Sequence, residues 1–276
     1  MCGQLGQSHS GPSLNKKYLL YEYGVQSPRW QTDYLPQFHR WLTRKNPYVF
    51  REDFCGTARI ACEWVKQSSR HQALGLDLDP EPLRIARERN LSQLSSEEKS
   101  RIRLKRQDVR KRTSETFDMI GAFNFSCFTF LTRADLVRYF RAVHESLQKP
   151  GTLFLEVAGG PGFIETRHDQ RSFSVPGVGG VKQIWEQHQY DPITGINDYS
   201  IHFGLPDGTW LQDAFQYHWR IWGIPELRDA LADAGFRKSV VLWEQVDSKG
   251  RGTGELLPTE SAELPESYLA YLVAVK

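Results

Sequence analysis

The sequence predicts a doubly wound α/β domain with an antiparallel insertion in its second half. Three observations lead to it. Strand and helix patterns alternate from residue 48 to residue 157, at the roughly 25–35-residue spacing of βαβ units. Acidic residues fall where the strand patterns end. Between residues 181 and 222 the pattern changes to two-residue alternation broken by Asp/Gly turns, the signature of a meander.

The elements follow in order. Residues 1–14 are rich in Gly, Ser and Gln and read as a disordered tail. Tyr21, Tyr34, Phe38 and Trp41 recur at near-helical steps, predicting one or two short helices broken near Pro28. Tyr48 to Phe50 is a short strand and Ile60 to Lys66 a helix. Ala73 to Leu78 is a strand, and Glu81 to Asn90 a helix with Leu83 and Ala86 inward. Ile102 to Leu104 is a strand leading to Asp108, and Phe117 to Phe123 the next. Ala134 to Leu147 carries Leu136, Val137, Phe140, Val143 and Leu147 on one helical face, and Lys149-Pro150-Gly151 stops it. Thr152 to Val157 is a buried strand.

Three antiparallel strands are expected next, over Ile184–Tyr190, Tyr199–Leu205 and Trp210–Trp222. Pro225 to Ala234 is a helix capped by Gly235. Val240–Val246 and Leu269–Val275 close the fold across a Gly/Pro-rich loop, Ser248 to Pro265.

Composition sets limits. The 276 residues are 39% apolar and 25% charged, a globular balance. A net charge of +2 gives no reason to expect nucleic acid. Arg101, Arg103, Lys105, Arg106, Arg110, Lys111 and Arg112 read as the solvated edge around one strand. Cys2, Cys55, Cys62 and Cys127 form no Cys-x-x-Cys pair, so no metal site is expected and a reduced, cytoplasmic setting is. No leader and no apolar run of membrane-spanning length is visible, so no membrane partner is expected. Oligomeric state is not legible.

The chemistry concentrates at strand ends. Glu52-Asp53-Phe54-Cys55-Gly56-Thr57-Ala58 lies between the first strand and a helix. A glycine turn there admits a ligand, the helix N-terminus offers N–H donors, and an acid pairs with an ammonium. This suits an amino-acid moiety better than a pyrophosphate. Asp77 follows Gly56 by 21 residues, where a carboxylate accepts ribose hydroxyls. Asp108 ends the third strand, within reach of an adenine amino group. Singly, Asp77 fits equally as a helix cap, and Asp108 and Gly56 as turn residues; their order and spacing together favour a ligand.

These residues resemble the class I S-adenosylmethionine-dependent methyltransferases over most of 48–160 and again over 218–276. The family loop reads acidic-x-Gly-x-Gly-x-Gly. Here Glu52 is the acid, Phe54 stands for the first glycine, Gly56 for the second and Ala58 for the third. The resemblance implies a seven-stranded Rossmann-like sheet over residues 48–276, a substrate-side antiparallel insertion over 165–222, and a helical lid over 15–47. It implies S-adenosyl-L-methionine as cofactor. Glu52, Gly56 and Thr57 would lie near its methionine part, Asp77 on the ribose, and Leu78, Asp108 and Val109 at the adenine. Asn124, Phe125 and Ser126 would lie below the sulfonium, facing the acceptor.

The acceptor is expected to be a small molecule with an N, O or C nucleophile. Positioning supplies most of the rate for an activated donor, and aromatic faces favour a cation. Five of the eight Trp lie between Trp185 and Trp243. Trp185, Tyr190, Phe203, Phe215, Tyr217, Trp219 and Trp222 serve either as the apolar face of the added sheet or, for one or two, as a pocket wall. Tyr21 and Tyr23 are lid residues in the same reading. His202 or His218 is the expected general base, and Arg220 binds a substrate carboxylate or caps the sheet edge. Competing classes are a nucleic-acid or protein methyltransferase, a nicotinamide-binding oxidoreductase, and a non-catalytic protein that keeps a donor pocket. Asn124-Phe125-Ser126-Cys127 lacks the paired prolines of exocyclic-amine nucleic-acid enzymes.

Overall fold

The computed structural model describes residues 12–248 and 251–276. Of the expected tail, residues 1–11 lie outside the described residues, as does Cys2.

Two helices come first, α1 (Pro12–Gly24) and α2 (Pro28–Thr43), separated just ahead of Pro28. The main sheet then begins with β1 (Val49–Asp53), α3 (Arg59–Lys66), β2 (Gln72–Asp77) and α4 (Pro80–Ile85). The helix continues past α4 as a wider π turn, Ala86–Asn90. Short α5 (Ser96–Ser100) leads into β3 (Ile102–Arg106), β4 (Phe117–Ala122), α6 (Arg133–Ser146) and β5 (Leu147–Gly159). Strand β5 starts five residues earlier than the Thr152 expected, because Leu147 already pairs with Phe117 before a register shift.

A second sheet follows: β6 (Arg167–Val175), β7 (Gly179–Gln187), β8 (Ile196–Gly204) and β9 (Trp210–Arg220). The chain returns through α7 (Ile224–Asp233) to β10 (Lys238–Val246), β11 (Gly252–Pro258) and β12 (Tyr268–Val275).

The main sheet runs β11-β10-β12-β5-β4-β1-β2-β3. Strands β3, β2, β1, β4 and β5 are mutually parallel, while β12 is antiparallel to β5 and β10 to β12. Chain order reverses between β1 and β4, the place where open α/β sheets leave a crevice at their carboxyl ends. Alternation explains why both faces are covered. Leu153, Leu155 and Val157 pack toward α6 and α7, whereas Phe154 packs toward α2 and α3.

Two edge strands depart from the sequence reading. The loop expected between Ser248 and Pro265 contains β11, an eighth strand beyond the expected seven. The meander has four strands, not three, because β6 joins it. Both are largely exposed: only Val175 of β6 and Leu256 of β11 are buried, so neither shows two-residue alternation. The second sheet has its own core of Val181, Ile201 and Phe203, with Leu20 of α1 against it. Among the described residues no helix is long and apolar enough to cross a membrane.

Candidate functional site

The loop after β1 keeps a glycine-loop backbone largely without glycines. Phe54 (φ 55°), Gly56 (φ 53°) and Ala58 (φ 54°) are all left-handed, a conformation that costs most L-residues energy. Neighbours hold it there. The Cys55 amide donates to the Leu76 carbonyl at 2.9 Å, and the Gly56 amide to Asp77 Oδ2 at 2.8 Å. Gly75 permits the approach, since a Cβ there would stand 2.9 Å from Cys55 Sγ. Beside Gly56 no atom lies within 4 Å of where a Cβ would be, so the loop faces open space.

From below, α1 grips the same loop. Glu22, 3% exposed, accepts hydrogen bonds from Thr57 Oγ1 (2.5 Å), Asn90 Nδ2 (2.9 Å) and Arg89, and lies 3.5 Å from Arg59. The π turn Ala86–Asn90 brings Arg89 and Asn90 to it.

Above the carboxyl ends of β1 to β4 lies a cleft of about 610 Å³, within the range of small-molecule sites. It is lined by the expected Tyr21, Asp77, Leu78, Asp108, Val109, Asn124, Tyr217 and Trp219, together with Phe54 and Arg110. Burial pushes the Asp77 carboxyl up, against the lowering effect of the Asp79 and Gly56 amides. Asp108 is held below the usual carboxylate range chiefly by Arg110, whose Nη2 donates to Oδ2 at 2.7 Å and whose Nη1 reaches Asp135 at the same distance. Leu78 is 60% exposed, an apolar side chain left open beside Asp77.

The loop after β4 is also strained: Asn124 (φ 51°) and Phe125 (φ 58°) are both left-handed. Four of the six left-handed non-glycine residues among those described thus border this cleft's two loops, and such strain concentrates at functional sites. The Asn124 amide donates to Glu156 Oε2 at 2.9 Å. Burial pushes the Glu156 carboxyl up to about 7.

Several expected residues lie elsewhere. Glu52 is buried behind the loop, not in the cleft; its Oε2 accepts the Ala61 amide at 2.8 Å, and burial pushes it up to about 8. Gly56, Thr57 and Phe125 support the cleft without lining it. His202 is buried between Glu186 (2.8 Å) and the Asp213 amide (2.9 Å), and His218 pairs with Asp198 at 2.6 Å on the exposed face. Each occupies the phase opposite to the inward Ile201, Phe203, Tyr217 and Trp219, and neither lines the cleft. Arg220 stacks on Trp222 at 3.8 Å and donates to the Leu131 carbonyl. Trp222 is buried and donates to the Phe130 carbonyl. Trp185 stands behind the wall, 6.0 Å from Tyr217 and 6.1 Å from Trp219.

The residues missed were Phe54, Arg110, Glu22 and Glu156. Arg110 read as part of a solvated basic edge, but its Asp-x-Arg spacing to Asp108 was the available signal. Among the described residues no group of His, Cys, Asp or Glu is arranged to hold a metal.

The cleft fits S-adenosylmethionine on the chain's own features: a carboxylate at a strand tip and an open apolar neighbour beside it. Residues 55–154 match the family model described as a methyltransferase domain. No curated protein matches the chain. Solved structures resemble it over nearly full length. Streptomyces venezuelae DesVI is 17% identical with a TM-score of 0.70, covering 97% of this chain and 99% of that one. The S-adenosylmethionine-bound amino pentose methyltransferase CalS10 from Micromonospora echinaspora is 17% identical at 0.66, covering 98% and 99%. The sugar N-methyltransferase KedS8 from a Streptoalloteichus species is 16% identical at 0.67, covering 100% and 97%. At these identities the likeness speaks for the fold. Residues 55–154 thus carry a match to a methyltransferase domain, on a fold shared with solved S-adenosylmethionine-dependent methyltransferases.

Proposed function

We propose that the protein methylates a small-molecule N, O or C nucleophile, with the donor lying along the tips of β1 to β4. The observation that carries this reading is the left-handed 54–58 loop, hydrogen-bonded to Asp77 and opening on the cleft. Asp77 would accept the ribose hydroxyls. Leu78 and Val109 would flank the adenine, and Asp108, kept ionised by Arg110, would sit at its edge. The bound donor supplies an activated methyl group. The chain's part is to orient it and keep water away, with Asn124 and Phe125 below the reacting centre.

Tyr21, Tyr217 and Trp219 form the acceptor side, where α1 and β9 close over the cleft. Residues 15–47 then act as a lid and 165–222 as the acceptor-side cover. Two structural neighbours are described as sugar or amino pentose methyltransferases, which supports a small acceptor. Calorimetry with adenosylhomocysteine and with NAD tests the reading. Binding of the first alone is expected; NAD binding alone would replace the methyltransferase assignment with a dehydrogenase one. Transfer of labelled methyl to a metabolite pool then reports turnover.

A further inference from the structure

A second cavity, of about 220 Å³, lies beside the main cleft where α2 meets β5, β10, β11 and β12. Its polar lining mixes acceptors with donors already in use: the Trp30 indole N–H donates to the Gly254 carbonyl and the Gly254 amide to Glu244 Oε1, at 3.0 Å each. Glu156 and Glu244 contribute carboxylates. Gln31, 4% exposed, contributes an Oε1 that has no hydrogen-bond partner. Trp30 and Tyr271 line it with rings stacked at 5.5 Å. No lysine or arginine is among the described residues that line it.

A buried amide oxygen without a donor is costly and uncommon, and the nearby Glu244 carboxylate opposes the charging of Glu156. A primary ammonium answers both: it brings one positive charge and three N–H donors to three acceptors. Aromatic walls add favourable contact for a cation. A phosphate or carboxylate ligand would meet the wrong sign of charge here.

The two cavities share a wall. Glu156 lines the second cavity, while its Oε2 accepts the amide of Asn124, which lines the first. We propose that the second cavity is a subsite for a distal part of the acceptor, whose reacting end lies on the Tyr21, Tyr217 and Trp219 side, and that it recognises a protonated amine through Glu156, Glu244 and Gln31. This rests on the methyl-transfer reading for the word acceptor, but the amine site itself does not depend on it.

The test is calorimetric titration of the full chain with cyclohexylamine and with cyclohexanol, a neutral mimic of similar size, with adenosylhomocysteine titrated separately. The amine is expected to bind at least tenfold more tightly than the alcohol. Glu244→Gln and Gln31→Leu are each expected to weaken the amine about tenfold and to leave adenosylhomocysteine affinity within twofold. Gln31→Leu is neutral and keeps the test decisive if Glu244→Gln does not fold. Equal binding of amine and alcohol, no amine binding, or amine binding indifferent to the substitutions overturns the proposal. Amine selectivity without adenosylhomocysteine binding overturns the donor reading and upholds the amine site.

Discussion

The Asp77 carboxylate accepts the Gly56 amide at 2.8 Å, so the tip of β2 props the loop that follows β1. Its other oxygen accepts the Asp79 amide at 2.9 Å. One side chain therefore serves the loop, the start of α4 and the cleft. Asp77→Asn keeps the size but turns one acceptor into a donor facing the Gly56 N–H. Adenosylhomocysteine affinity is expected to fall about 10- to 100-fold, the range for hydrogen bonds to a charged group. Calorimetry checks this, and unchanged affinity would remove Asp77 from the donor site.

Gly56 offers a cleaner separation of backbone from contact. With φ at 53° and no atom within 4 Å of a built Cβ, Gly56→Ala clashes with nothing. It is expected to cost about 1–2 kcal/mol from the left-handed backbone alone. Urea denaturation measures that. Donor affinity should fall as well, because the same left-handed turn holds the loop against Asp77 beside the cleft.

Glu22 ties α1 to the loop through Thr57, Asn90, Arg89 and Arg59. Replacing it with alanine leaves buried donors facing no charge. A loss of about 3–5 kcal/mol is expected, as for one partner removed from a buried ion pair. Glu22→Gln should lose less, since its amide oxygen still accepts. Proteolysis within α1 should quicken in both variants, and an unaltered cleavage rate would mean that α1 is held elsewhere.

The strand tips were legible because a β strand followed by an acid and a glycine leaves a local trace. Asp77 and Asp108 each sit within two residues of a periodic strand. Their partners were partly legible: Gly56 was expected near the site, but its bond to Asp77 spans 21 residues. Glu156 was not legible as a site residue. It stands in an apolar strand, and its cavity joins Gln31, Glu244 and Tyr271 from three distant elements. For His202 and His218, which do not line the cleft, strand phase decides where the ring points. Tyr217 and Trp219 carry the opposite phase from His218 and reach the cleft.

Glu52 gives a pH prediction for stability. Burial pushes its carboxyl up to about 8 in the folded protein, above the roughly 4.3 of an exposed glutamate. Between those values the folded state binds the extra proton. Stability from this group is therefore full below pH 4, declines as pH rises, and is lost through about pH 8. Glu52→Gln removes that loss, so its melting temperature should fall less than the wild type's between pH 6 and 9. Parallel curves for the two proteins would place the titration on another group.

Glu156 makes amine recognition depend on pH in the opposite sense. Its carboxyl, pushed up to about 7 by burial, faces the Asn124 amide, Tyr271 of β12 and Glu244 of β10, with Gln31 of α2 and Tyr21 of α1 nearby. The Asn124 and Tyr271 bonds favour its charged form, and Glu244 opposes it. Below about pH 6 the cavity presents one carboxylate fewer to a cation. An alkylamine, like a lysine side chain, stays protonated to about pH 10. Cyclohexylamine affinity should therefore rise about tenfold from pH 6 to 8, with protons released on binding in calorimetry buffers of different ionisation heat. Over the same window the free protein loses the stability that neutral Glu156 confers, so binding strengthens while the melting temperature falls. Glu156→Gln should flatten both trends. A wild-type affinity that stays level or declines across this window would show that Glu156 is not the counter-charge.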